Sequence, residues 1–278
     1  MSTPLVVIVS GANRGIGKAI CQGILALPQP VILYAASRAG VDLELRPPHT
    51  ESEVKYPKLD ITDEDSVRKL VELVKGEQRG VDALINNAGL NVDAQYSVEN
   101  VELTLKTNYY GTLKMNQAFL PPVRGNKGRI VNLSSVGSLL KPYSPAIQSR
   151  FRGVESLEQV EDLAQEYVSH VKDKTETESG WGGQRRAYSV SKALINAFTK
   201  VLAKQEAEQG SGVLINCCCP GWVSTDMGHL VGDKPPKSTE DGAKIPLKLA
   251  FGDINGTSGE YWANDSMASA ADGKVQEW

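Results

Sequence analysis

The sequence predicts a doubly wound α/β fold, a parallel sheet covered by helices on both faces, and three observations predict it. Short runs that are apolar at nearly every position recur along the chain. Amphipathic stretches of helical length separate them. A glycine-rich turn stands between the first run and the first amphipathic stretch. Strands apolar at every position are buried on both faces, and strands that alternate with helices pair in parallel. The chain has 278 residues, 41% hydrophobic and 23% charged. That is enough for one domain, 1–278, with a large core.

The strands are expected at 5–9, 31–35, 83–85, 129–133 and 213–217, and the helices between them at 15–27, 63–75, 101–120 and 191–207. One stretch breaks the alternation. Residues 139–187 carry no strand signal. Ser156-Leu157-Glu158-Gln159 has the form of a capping box, and Leu157, Val160, Leu163, Ala164, Tyr167, Val168 and Val171 follow at helical spacing. An extra helix inserted into the α/β order is expected there. Residues 233–238 read as a mobile loop, because Pro235 and Pro236 prevent helix.

Charge and composition exclude several classes of function. The net charge is −3, with Lys and Arg dispersed, so neither a nucleic-acid footprint nor a basic membrane-surface patch is present. The apolar run at 5–9 is too short for a signal-peptide core and nothing approaches bilayer length, so a cytoplasmic protein is expected. Cys21, Cys217, Cys218 and Cys219 are expected as reduced thiols, three of them being consecutive. His49, His170 and His229 are widely separated, and no metal site is expected.

The chemistry is read from spaced motifs. Ser10-Gly11-Ala12-Asn13-Arg14-Gly15-Ile16-Gly17 follows the first strand and opens a helix. Glycines there allow a tight turn and close backbone approach, and the unpaired N–H groups of the helix favour a pyrophosphate. Tyr188 and Lys192 are four apart and share a helix face. An ammonium beside a phenol favours the phenolate, so Lys192 is expected to lower the Tyr188 pKa. At the end of the second strand, Ser37-Arg38 offers a hydroxyl and a guanidinium and no acid, and Arg14 is a second cation. Such a set suits a 2′-phosphate and favours NADPH over NADH.

The Gly-x-x-x-Gly-x-Gly spacing, Asn86-Asn87-Ala88-Gly89, Lys106-Thr107-Asn108, Ser134-Ser135, Tyr188-x-x-x-Lys192 and Pro220-Gly221-Trp222-Val223-Ser224-Thr225 occur in an order that resembles the short-chain dehydrogenase/reductase family, a Rossmann-like fold. Ser10 stands where threonine is usual, with the hydroxyl kept. The resemblance implies that Tyr188 gives a proton to a carbonyl oxygen as hydride reaches carbon. It implies that Lys192 also holds the nicotinamide ribose, that Asn108 joins a water relay and that Ser135 polarises the carbonyl, with Ser134 as the alternative. It assigns the cofactor to Gly11, Asn13, Arg14, Gly15, Ile16, Gly17, Ser37, Arg38, Asn87, Ala88, Gly89, Pro220, Gly221, Val223 and Thr225. Asp60, at the end of a third strand, is assigned to the adenine.

Ser135 and Tyr188 stand 53 positions apart, far more than in ordinary members. The helical insertion accounts for the excess and resembles that of the NADPH-dependent carbonyl reductases. Lys106-Thr107-Asn108-Tyr109-Tyr110-Gly111-Thr112, Cys218-Cys219-Pro220-Gly221-Trp222-Val223 and the ending Gln276-Glu277-Trp278 resemble them too. That likeness implies a monomer acting on small ketones, aldehydes or quinones, with Cys219 and Trp222 near the substrate; Trp181, just upstream of Tyr188, is expected to line the pocket too. An NAD-linked alcohol dehydrogenase of the same fold would need an acid near Arg38, for which Asp42 is the candidate. A non-catalytic NADP-binding sensor is the third reading, and the presence of Asn108, Ser135, Tyr188 and Lys192 together speaks against it.

Overall fold

The computed structural model describes residues 3–76, 80–123 and 128–278. β1 (Leu5–Ser10), β2 (Val31–Ala36), β3 (Glu53–Lys55), β4 (Ala83–Asn86), β5 (Arg129–Leu133), β6 (Leu214–Cys218) and β7 (Tyr261–Ala263) pair in parallel in the order β3-β2-β1-β4-β5-β6-β7. β8 (Lys274–Val275) pairs antiparallel with β7 at the edge. The five expected strands are all present. β3, β7 and β8 have two or three residues each, too few for a periodic signal.

β1 shows why the runs are apolar throughout. Val6, Val7, Ile8 and Val9 are all fully buried. Val6 and Ile8 enter one core and Val7 and Val9 the other, since successive side chains leave a strand on opposite faces. One core lies under α1 (Gly15–Leu25) and α9 (Thr239–Phe251). The other lies under α2 (Glu64–Lys75), α3 (Val98–Leu105), α4 (Thr112–Phe119) and α7 (Ala187–Glu208). The chain moves outward from β1 to β2 and β3 and then returns to β4 on the other side. A crevice therefore opens between β1 and β4 at their carboxyl ends, the place where such sheets bind ligands.

The stretch 139–187 holds two helices rather than one: α5 (Pro145–Arg152) and α6 (Leu157–Asp173). Ser156 caps α6 by accepting from the Gln159 N–H at 3.2 Å. The return bond of the box is displaced by one residue, Gln159 Oε1 accepting from the Glu155 N–H at 2.7 Å. Trp181 is completely buried and does not line the crevice. It packs against Tyr143, Phe151 and Tyr167 and donates to His170 Nδ1 at 2.9 Å. An isolated tryptophan before a catalytic motif gave no hint of these partners, which the inserted helices bring. Trp278 stacks edge-on against Phe151.

Residues 233–238 are tied down at their end. Lys237 is 2% exposed, its N–H donates to Trp222 O at 3.2 Å and its carbonyl accepts from Ser224 N–H at 2.8 Å. Ser238 then caps α9. Among the described residues no helix is long and apolar enough to cross a membrane.

Candidate active site

The glycine turn is built by steric necessity. Gly11 and Gly15 have φ of +66° and +53°, which only glycine adopts freely. A Cβ on Gly17 would lie 2.2 Å from Gly11 O and 2.5 Å from Asn87 Nδ2. The turn is locked to the end of β4. Ser10 Oγ accepts from the N–H groups of Asn87 and Ala88 at 3.1 Å, and Asn87 Nδ2 donates to the carbonyls of Ser10 and Gly11. Serine at position 10 makes these bonds with its hydroxyl. α1 then starts at Gly15 with no side-chain cap and no acid in its first turn, so its N–H groups face the crevice.

The crevice is a cleft of about 750 Å³. Of the residues singled out from the sequence, Gly11, Asn13, Arg14, Gly15, Ile16, Gly17, Ser37, Arg38, Asp60, Asn87, Ala88, Gly89, Tyr188, Lys192, Pro220 and Thr225 line it. Asn108, Ser135, Cys219, Gly221, Trp222 and Val223 lie behind or beside its wall. Lys106, Thr107, Ser134, Leu90 and Asp226 line it as well. In the sequence Lys106 only opens the Lys-Thr-Asn motif, and nothing local distinguishes it from a solvated lysine.

At the outer end the carboxylates missing from the local sequence arrive from elsewhere. Arg14 pairs with Asp226 at 2.5 Å, both side chains more than two-thirds exposed. Such a pair contributes at most about 1 kcal/mol, so the guanidinium remains available to an anion. Asp60 Oδ1 accepts from Thr62 N–H and Oγ1. These bonds, with Arg38 and Lys106 nearby, hold its carboxyl below the usual range. Asp60 lies past the end of β3, beyond an isolated bridge between Ser37 and Lys58. Asp42 turns to the Glu44 N–H and to Tyr56, and does not line the cleft.

At the inner end Tyr188, Ser135 and Lys192 come together. The Ser135 hydroxyl lies next to the Tyr188 phenol and favours its ionised form. It also accepts from the Gly137 N–H at 3.1 Å. The Ser134 hydroxyl instead donates to the Lys192 carbonyl at 3.3 Å. Lys192 Nζ lies 5.6 Å from the Tyr188 ring centroid and donates to Leu133 O at 2.7 Å. Burial pushes the Tyr188 phenol up to about 12, against the pull of Ser135. Burial likewise brings the Lys192 ammonium down to about 8. The expected lowering of the tyrosine pKa is thus outweighed by desolvation, which disfavours both charged forms. A phenol in this state keeps its proton at neutral pH and is an acid.

Asn108 sits in a π-helical turn, Lys106–Gly111, between α3 and α4. Such turns shift the register of a helix and mark functional sites often. The Asn108 side chain is fully used: Oδ1 accepts from Leu90 N–H, and Nδ2 donates to Leu90 O and Ser191 Oγ. A Cβ on Gly89 would meet Asn108 Oδ1 at 3.1 Å and Lys192 Nζ at 3.7 Å.

On the far wall, Cys217 and Cys218 point into opposite cores. Cys219 Sγ accepts from the N–H groups of Val136 and Gly221 and lies close to Tyr188. Trp222 is half-buried, donates to Gly228 O at 2.9 Å and packs under Gly232. Lys237 Nζ donates to Pro220 O at 2.7 Å, holding the Pro220-Gly221 turn from behind. Beside two prolines this lysine looks like surface loop in the sequence.

The family model described as short chain dehydrogenase matches residues 5–146 and 178–235. The unmatched stretch between holds most of α5 and all of α6. The chain is 33% identical over 286 residues to carbonyl reductase (NADPH) 1 of Homo sapiens, covering 98% of each chain. It is 34% identical over 287 residues to the protein of that name from Mus musculus, again covering 98% of each. Among solved structures it is similar to menthone neomenthol reductase from Mentha piperita, with a TM-score of 0.78 and 27% identity, covering 94% of this chain and 99% of that one. With the glycine turn, the Asn-Asn-Ala-Gly wall and the Ser-Tyr-Lys group in place on a parallel sheet, the chain belongs to the short-chain dehydrogenase family.

Proposed function

We propose that the protein reduces a ketone, aldehyde or quinone carbonyl to the alcohol with NADPH. The observation that carries this reading is one cleft with two chemically distinct ends. The inner end presents a protonated phenol with a second hydroxyl beside it, and the outer end presents a glycine cradle with three cations.

The residues present fit the cofactor. The close approach of Gly17 to Gly11 leaves backbone where a pyrophosphate needs it, and the first turn of α1 has N–H groups to offer. Arg38, with Ser37, Arg14 and Lys106, would hold a 2′-phosphate. Asp60 would meet the adenine, Lys192 the nicotinamide ribose, and Pro220, Gly221, Val223 and Thr225 the carboxamide. NADPH supplies the hydride.

This chain's residues do the rest. Ser135 and Tyr188 hydroxyls bind the carbonyl oxygen, and Tyr188 donates the proton that completes the alcohol. Ser135 takes this role over Ser134, whose hydroxyl is committed to the Lys192 carbonyl. The Lys192 ammonium stabilises the phenolate left behind. Asn108 fixes Leu90 and Ser191 and so the floor beneath Lys192. Cys219 and Trp222 border the substrate.

The relatives named carbonyl reductase (NADPH) 1 support this reading. Its test is NADPH oxidation by the purified protein with quinones, α-dicarbonyls and aromatic aldehydes, repeated with NADH. Turnover with NADPH well above NADH is expected. Preference for NADH would remove the role of Arg38 and favour an NAD-linked enzyme. We also propose that the insertion 139–187 keeps the protein monomeric, because α6 lies across α3 and α7. Light scattering giving the mass of two chains would overturn that.

A further inference from the structure

α7 carries Tyr188 as its second residue, yet its N-terminus lacks a local cap. Arg186, the residue before the helix, makes no side-chain cap bond. The cap comes from Asp93, 95 positions earlier. Both carboxylate oxygens of Asp93 accept from the Tyr188 N–H at 3.2 Å, and the Ala187 N–H also points to this carboxylate. Asp93 opens a short 3-10 turn, Asp93–Gln95, just beyond Gly89 and Leu90 of the cleft wall. Its own N–H is held by Asn91 Oδ1 at 3.1 Å. The segment 90–93 is therefore tied to α7 twice, through Asn108 to Ser191 and through Asp93 to Tyr188.

We propose that Asp93 is a positioning residue for the reaction: it clamps the backbone of Tyr188 to the cofactor-side loop and places a carboxylate at the helix end that carries the phenol. This inference rests on the reductase reading. The groups facing Asp93 are Arg186, Tyr143 and Tyr167, with Arg186 stacked 5.3 Å over the Tyr143 ring. Tyr96 and Glu176 are bonded to each other close by. The groups facing Tyr188 are Ser135, Cys219, Lys192 and Asp93. Burial holds the Asp93 carboxyl above its usual range, and once ionised it adds to the desolvation that disfavours the Tyr188 phenolate, opposing the Lys192 ammonium.

The experiment compares wild type with Asp93→Ala and Asp93→Asn. In Asp93→Ala, kcat for carbonyl reduction should fall roughly tenfold with KM for NADPH within about twofold, because the acid is displaced while the cradle is intact. Asp93→Asn retains one acceptor oxygen and should recover most of kcat. Alcohol oxidation needs the phenolate. In Asp93→Asn its rise with pH should therefore move to lower pH by on the order of half a unit. A lowered melting temperature with unchanged kcat and an unmoved pH profile would make Asp93 a structural cap only and overturn the proposal. If Asp93→Ala does not fold, the Asp93→Asn profile decides by itself. If wild type turns over no carbonyl, the reductase reading fails instead. Amide exchange at Ala187 and Tyr188 then tests the clamp, and rates unchanged in Asp93→Asn and Asp93→Ala would overturn it.

Discussion

The two ends of the cleft are built in different ways. The outer end is made of backbone. Gly11, Gly15 and Gly17 are set by positive φ and by contacts that a methyl group would break, and its bonds to Asn87 and Ala88 involve main-chain atoms on one side or the other. The inner end is made of buried side chains. Tyr188, Lys192 and Asn108 depend on partners 18 to 95 residues away. Sterics are local and appear as a glycine pattern. Desolvation belongs to the assembled protein and appears in no motif. The contrast explains why burial shifts the pKa values of Tyr188 and Lys192 at the closed end of the cleft.

The comparison can be broken at either end. The largest effect is expected from Tyr188→Phe, which removes the acid and leaves the cradle. Turnover should fall about 10²- to 10⁴-fold, with NADPH affinity by calorimetry nearly unchanged. Equal losses in binding and turnover would show that the ends are not separable. Next is Lys192. Its folded pKa of about 8 lies below the ordinary lysine value of 10.5, so between these values the unfolded chain holds a proton that the folded one has released. Stability must therefore rise with pH across that window, by up to about 3 kcal/mol. Urea unfolding at pH 8 and 10 should show this gain in wild type and lose it in Lys192→Met. An identical pH slope in both would mean that burial is not what sets this lysine.

Gly17→Ala tests the backbone end. Its new methyl group meets Gly11 O, and overpacking of about 1–3 kcal/mol should weaken NADPH binding by roughly tenfold or more. Turnover at saturating cofactor should change far less. The smallest effect is expected from Asp226→Asn, which frees Arg14. KM for NADPH should drop about two- to fivefold at low salt, and the difference should vanish at high salt. No salt dependence would place Arg14 outside the cofactor's reach.

Most of the fold is legible in the residue pattern. β1, β2, β4, β5 and β6 carry apolar residues on both faces and are long enough to register. β7 and β8 were not legible, because two or three residues cannot show a period and their pairing is set by the sheet edge. α5 was missed beside α6, since its burial is confined to Ile147 and Phe151. At the site, motif order carried Ser135, Tyr188 and Lys192 to one cleft end and the glycines with Arg38 to the other.

The chain's own residue pattern thus specified a doubly wound sheet, the position of its crevice and the identity of the groups around it, because strand burial, glycine geometry and helix spacing act over a few residues. It did not specify that Asp226 meets Arg14, that Lys237 supports the Pro220 turn, that Asp93 caps α7 or that Trp181 is buried under α6. Those contacts join segments tens to hundreds of residues apart. Their energies come from desolvation and long-range pairing, which exist only once the sheet has brought the segments together.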